Sequence, residues 1–230
     1  MRELYTQNAR SARADIGSSV EVNKVLRNTY SLLALTLAFS AVTAGIAMAV
    51  NLSHGAGLIM SLVALGLIWF VLPRTANSSA GLGVVFLFTG LIGASLGPIV
   101  NHYLAMANGG SIVLQALGGT AAIFLGLSGY TLTTRKDFSF LRGFVAVGLM
   151  VMIGCMLLML GASLFGFDVS ALSLAFSAAV VLLMSALILY QTSAIIHGGE
   201  TNYILATTSL YLSIINLFTS LLHLIGASNE

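Results

Sequence analysis

The sequence predicts an all-α membrane protein, a bundle of seven transmembrane helices. Three observations carry that reading. Only 7% of the 230 residues are charged, against 58% hydrophobic, whereas a soluble domain carries about 25% charged residues. The hydrophobic residues gather in seven long runs separated by turn residues. Those runs are continuous instead of alternating, which excludes a membrane β-barrel.

An α-helix rises about 1.5 Å per residue, so about 20 apolar residues cross a hydrocarbon core about 30 Å thick. The runs of that kind are 29–50, 56–72, 80–100, 112–133, 141–164, 169–196 and 203–225. The segment before the first, MRELYTQNARSARADIG, is polar and has no apolar centre. It is therefore not a secretory signal peptide, and the run at Tyr30 is expected to act as an uncleaved insertion signal. The second run is short and is expected to end at Pro73. In the third, Gly90, Gly93 and Gly97 permit close approach of another helix, and Pro98 is expected to kink it near one end. The fourth carries Gly118, Gly119, Gly126 and Gly129, read in the same way as close-packing positions. The fifth holds Cys155, the only cysteine, so no disulfide forms within the chain and this residue reads as small packing material. The sixth is long, so its last turn projects or the helix tilts. The connections at 51–55, 73–79 and 108–110 are short and rich in Asn, Ser, Gly and Pro, which leaves antiparallel neighbours.

Orientation follows from the cations. The nine are Arg2, Arg10, Arg13, Lys24, Arg27, Arg74, Arg135, Lys136 and Arg142. With seven spans all of them fall on one side, which the positive-inside rule makes the cytoplasm. The N-terminus is then cytoplasmic and the C-terminus lies on the other side of the membrane. The chain divides into a cytosolic tail, 1–28, and a transmembrane domain, 29–230. The charges are too few and too scattered for a nucleic-acid surface.

The last span carries a polar stripe: Asn202, Ser209, Ser213, Asn216, Ser220 and His223 recur at spacings that share one helical face. Facing lipid, these groups would go unsatisfied, so the stripe is expected to face the bundle. It reads either as a wet ion path or as helix packing through hydrogen bonds worth about 0.6 kcal/mol each. The absence of charge favours packing. Before that span comes a polar knot, His197-Gly198-Gly199-Glu200-Thr201-Asn202. It reads as a tight hinge in which the glycines reverse the chain, Thr201 or Asn202 caps the last helix, and Glu200 complements its dipole. A His197–Glu200 pair, if formed, would be structural.

Catalytic signatures are missing. There is no H-E-x-x-H and no G-x-S-x-G, and the glycines between His197 and Glu200 disfavour a helical metal site. Asp137, Asp168 and Glu200 all fall in connections, so no mid-span carboxylate marks an ion carrier. The sequence points to a protein that is not an enzyme and needs no cofactor or metal.

Several segments carry a resemblance. "FLFTGLIGASLGPIVNHYL", "QALGGTAAIFLGLSGYTLTTRKDFSFL" and "SLYLSIINLFTSLL" resemble the Bax inhibitor-1 family over residues 24–226. "KVLRNTYSLLALTLAFSAVTA", "LTTRKDFSFL" and "IIHGGETNYI" resemble its bacterial inner-membrane branch, which modulates the membrane AAA protease FtsH. The resemblance implies six helices around a more central seventh, and a bacterial inner membrane with the C-terminus in the periplasm. It also implies that the chain is a modulator and substrate of FtsH, engaged through a flexible, unstructured tail with Arg2, Arg10, Arg13, Lys24 and Arg27. The alternative it implies is a calcium leak gated by an aspartate pair, one in the sixth span and one in the seventh. Gln191 and Ser213 stand at those positions, and neither titrates near neutral pH, so the leak reading comes second.

Overall fold

In a computed structural model, residues 2–229 are described, with side chains from Val20 onward. Among them are seven helices long and apolar enough to cross a membrane. We number them α1 (Arg2–Ala49, apolar over Val20–Ala49), α2 (His54–Thr75), α3 (Ala80–Leu104), α4 (Gly109–Thr134), α5 (Leu141–Leu164), α6 (Ser170–Ile196) and α7 (Tyr203–Ala227). The seven-helix reading of the sequence is thereby met, with three differences at the level of elements.

First, the backbone is helical from Arg2 into the first span without a break, which corrects the unstructured tail expected over 1–28. Residues 2–28 contain Leu, Arg, Ala, Gln and Glu, no proline and a single glycine, Gly17. Such a segment extends a helix that the apolar run nucleates. Second, α2 does not stop at Pro73. A π-helical turn at Leu67–Val71 precedes the proline, with the Leu72 N–H reaching back to the Leu67 carbonyl. This widened turn shifts the hydrogen-bond ladder where the proline ring would collide with a regular one. Third, α3 holds Pro98 inside the helix, as expected, but runs past residue 100 to Leu104, where Asn101 Nδ2 donates to the Met48 carbonyl of α1 (3.2 Å).

The middle of the bundle belongs to α7 and α3. Half of the most apolar stretch of α7 is buried, against 6% for α5. α7 touches α1, α3, α4 and α6, whereas α5 packs on α6 alone. The bundle is therefore lopsided, with α5 an outlying helix instead of one stave in a ring of six. The α1–α3 contact is as close as the sequence predicts. A β-carbon at Gly93 would lie 2.3 Å from the Ser40 carbonyl oxygen, a distance that only a residue without one avoids. The same expectation fails for α4. Gly118, Gly126 and Gly129 face open space, and Gly119 meets only Leu221 Cδ1 at 3.4 Å. α4 turns Ala116, Thr120, Ser128 and Thr131 inward instead.

Hydroxyl groups tie the helices together. Tyr211 of α7 is fully buried edge-on to Phe88 of α3 (5.5 Å between rings, 75°). Its hydroxyl donates to the Thr89 carbonyl (3.2 Å) and accepts from Ser40 Oγ of α1 (2.7 Å). Tyr30 of α1 meets Ser128 of α4 and Thr192 of α6 in a second hydroxyl cluster. These bonds satisfy buried polar groups where no water is present to do so.

Contacts between connections define one end of the bundle. Asn202 Nδ2 donates to the Ala76 carbonyl (3.0 Å) and to Asn77 Oδ1 (2.8 Å). The Phe138 N–H donates to Ser193 Oγ (2.9 Å), and Lys24 of α1 shares a cavity wall with Glu200. Lys24, Arg74, Arg135, Lys136 and Arg142 are thereby brought to the same end.

Candidate functional site

The hinge between α6 and α7 is built as its residue types dictate. α6 ends at Ile196, and Gly198 takes φ +73°, a left-handed conformation that costs other residues more. The Gly199 and Glu200 N–H groups fold back onto the Ala194 carbonyl (2.8 and 3.1 Å). Asn202 caps α7, its Oδ1 accepting from the Ile204 and Leu205 N–H groups (2.9 and 3.2 Å). His197 and Glu200 bond to different partners. His197 Nδ1 donates to the Ser193 carbonyl (2.9 Å) at the end of α6, and Glu200 Oε1 accepts from the Asn202 N–H (2.8 Å). Asp137, in the α4–α5 connection, accepts from the Ser139 N–H (2.8 Å) and hydroxyl (3.1 Å). Those bonds, with the nearby His197, hold its carboxyl below the ordinary aspartate range.

Below the hinge, Gln191 of α6 bridges to α7. Its amide oxygen accepts from the Ser213 hydroxyl (3.1 Å), and its Nε2 donates to the Ser209 carbonyl (3.3 Å). The two positions that the sequence analysis singles out on α6 and α7 are therefore in direct contact through neutral groups. Asn216 Nδ2 bonds back to the Leu212 carbonyl of its own helix (2.8 Å). Farther along, Ser177 of α6 meets His223 Nδ1 (2.8 Å).

The polar stripe is only partly where the sequence places it. Ser213 and Ser220 are buried, but Ser209 and Asn216 are exposed. The reason is α5, which leans on α6 and leaves a groove in front of α7. Two cavities of about 360 Å³ each lie along that groove, both walled by α5, α6 and α7, and Leu149 borders both. The one nearer the hinge is lined by Arg142, Tyr190, Gln191, Glu200 and Ser209 among apolar neighbours. Sequence reasoning counted Arg142 only among the cations of one side and did not single out Tyr190. No spacing along the chain links residues of α5 and α6 across a gap, so neither could be placed there.

A larger cavity, about 530 Å³, lies among α1, α3, α4 and α7 and is almost wholly apolar. Among the described residues no group of three His, Cys, Asp or Glu could hold a metal ion. The side chains of Arg2, Arg10 and Arg13 lie outside the described residues. Lys24, by contrast, lines a cavity of about 580 Å³ between α1 and the hinge.

With this geometry in view, residues 22–230 match the model of a family described as inhibitors of apoptosis-promoting Bax1. The chain belongs to this family. Among its relatives is an Escherichia coli K12 protein named modulator of FtsH protease YccA, 49% identical over 220 residues, which are 96% of this chain and 97% of the relative. The corresponding protein of E. coli O6:H1, with the same identity and coverage, is named inner membrane protein YccA. An uncharacterized protein of Pseudomonas aeruginosa is 52% identical over 206 residues, 90% of each chain. Near-equal coverage makes this Bax inhibitor family member comparable to its E. coli relatives over nearly the full length of both chains.

Proposed function

We propose that this chain is a bacterial inner-membrane protein that modulates a membrane AAA protease of the FtsH type and is itself a substrate of it. The supporting observation is its 49% identity, over nearly the full length of both chains, to a protein named for that role. The chain acts by binding and carries no reaction of its own. The positive-inside rule places the hinge end, with Arg74, Arg135 and Arg142, in the cytoplasm. The N-terminal part of α1 then extends on the side where a cytosolic AAA ring engages its substrates, and Arg2, Arg10, Arg13, Lys24 and Arg27 make it basic. The calcium-leak reading stays second. Gln191 and Ser213 hold α6 to α7 by a bond that does not titrate, so no proton operates a gate there.

Co-purification with a tagged FtsH-type protease, together with pulse-chase turnover, tests the proposal on the full chain and on a form lacking residues 2–20. Deletion is expected to lengthen the half-life of the chain and to weaken its effect on other substrates of the protease. Unchanged turnover and unchanged protease output would refute engagement through this segment.

A further inference from the structure

The cavity at the hinge end of the α5–α7 groove is walled in a way that neither the cap nor the Gln191 bridge requires. Arg142, at the start of α5, and Glu200, in the hinge, both face it. One oxygen of Glu200 accepts from the Asn202 N–H, and the carboxylate keeps acceptor sites for a cation. Tyr190 and Gln191 add a hydroxyl and an amide. Below this polar rim the wall turns apolar through Val145, Leu149 and Leu187. The groove is open sideways, because α5 packs on α6 and not on α7.

We propose that this groove holds one phospholipid with a zwitterionic, phosphatidylethanolamine-type headgroup. Arg142 takes the phosphate, Glu200 the ammonium, and one acyl chain lies along α5. Charge complementarity selects this occupant. An arginine alone accepts any phosphate, and its planar fork suits one well. A carboxylate across the same cavity favours a headgroup that also carries a cation. A soluble zwitterion lacks the tail that the apolar wall and the lateral opening fit. The length agrees as well. Leu149 lies seven residues along α5 from Arg142, a rise of about 10 Å. One leaflet of hydrocarbon is about 15 Å deep, so the chain passes Leu149 and ends near Met152, at the second cavity.

The full chain is reconstituted in nanodiscs of equimolar phosphatidylethanolamine and phosphatidylglycerol, released into mild detergent and weighed by native mass spectrometry. The wild type is expected to retain one phosphatidylethanolamine in about tenfold preference, the factor one charge-assisted hydrogen bond supplies. Glu200→Gln is expected to keep a lipid but lose the preference, and Arg142→Gln to lose the lipid. Leu149→Trp, which fills the groove and leaves both charges in place, is expected to expel it too. A wild-type ratio equal to the bulk mixture, an undiminished preference in Glu200→Gln, or lipid retained at the wild-type level by Arg142→Gln or Leu149→Trp would each overturn the proposal.

Discussion

At Gly93 one hydrogen atom decides how closely two helices approach. A methyl there would meet the Ser40 carbonyl and Thr43 Oγ1, both at 2.3 Å, so the backbones of α1 and α3 would have to part. Gly93→Ala is expected to cost about 1–3 kcal/mol, as overpacking does, and to lower the thermal midpoint in detergent. Gly118→Ala, which meets open space, is expected to leave that midpoint almost unchanged. Equal effects of the two would contradict the packing described. Asp137 is the residue with a pH consequence. Its carboxyl sits below its usual range in the folded chain, first through the Ser139 N–H, then through the Ser139 hydroxyl, and to a lesser degree through His197. A depressed carboxylate contributes stability that is complete above the unfolded value and is lost as pH falls through the folded one. The Asp137→Asn protein is therefore expected to lose less stability than the wild type in that acid range, measured as thermal midpoint against pH.

At the scale of elements, the α6–α7 hinge is joined to its surroundings mainly by Asn202. Its side-chain oxygen caps α7 and its nitrogen holds the α2–α3 connection. Asn202→Ala removes both and is expected to destabilise by about 1–2 kcal/mol, the upper range for a cap. Asn202→Ser keeps a capping oxygen and loses the bonds across the connections, so calorimetry should place it between the two. If Ser behaved like Ala, the cross-connection bonds and not the cap would carry the effect. The proline-bearing elements teach a related lesson. Pro73 and Pro98 both lie within helices: a widened turn precedes Pro73 in α2, and Pro98 sits near the end of α3.

The whole molecule is a membrane bundle with one end rich in cations and one outlying helix. Single cysteines placed at Arg74 and Arg135 are expected to react with an impermeant reagent from the same side of the membrane. Reaction from opposite sides would contradict the packing of their connections at one end. The outlying position of α5 also governs the candidate site. Had α5 closed onto α7, Ser209 and Asn216 would be buried and the groove would not exist.

The number, order and approximate bounds of the spans were legible in the sequence, because a hydrocarbon solvent imposes length and apolarity on every helix that crosses it. A cap at Thr201 or Asn202 and a reversal at Gly198-Gly199 were legible too, since both are set by neighbours a few residues away; the structure decides for Asn202 and Gly198. The continuation of α1 back to Arg2 was not, because helix-forming residues alone do not nucleate a helix and these extend one begun by the neighbouring span. Nor was the outward face of the α4 glycines, the separation of α5 from α7, or the meeting of Arg142 with Glu200 across a cavity. Those depend on which helices touch. In a membrane nearly every face of a span is apolar, so hydrophobic periodicity no longer tells an inward face from an outward one, and only the packed tertiary structure does.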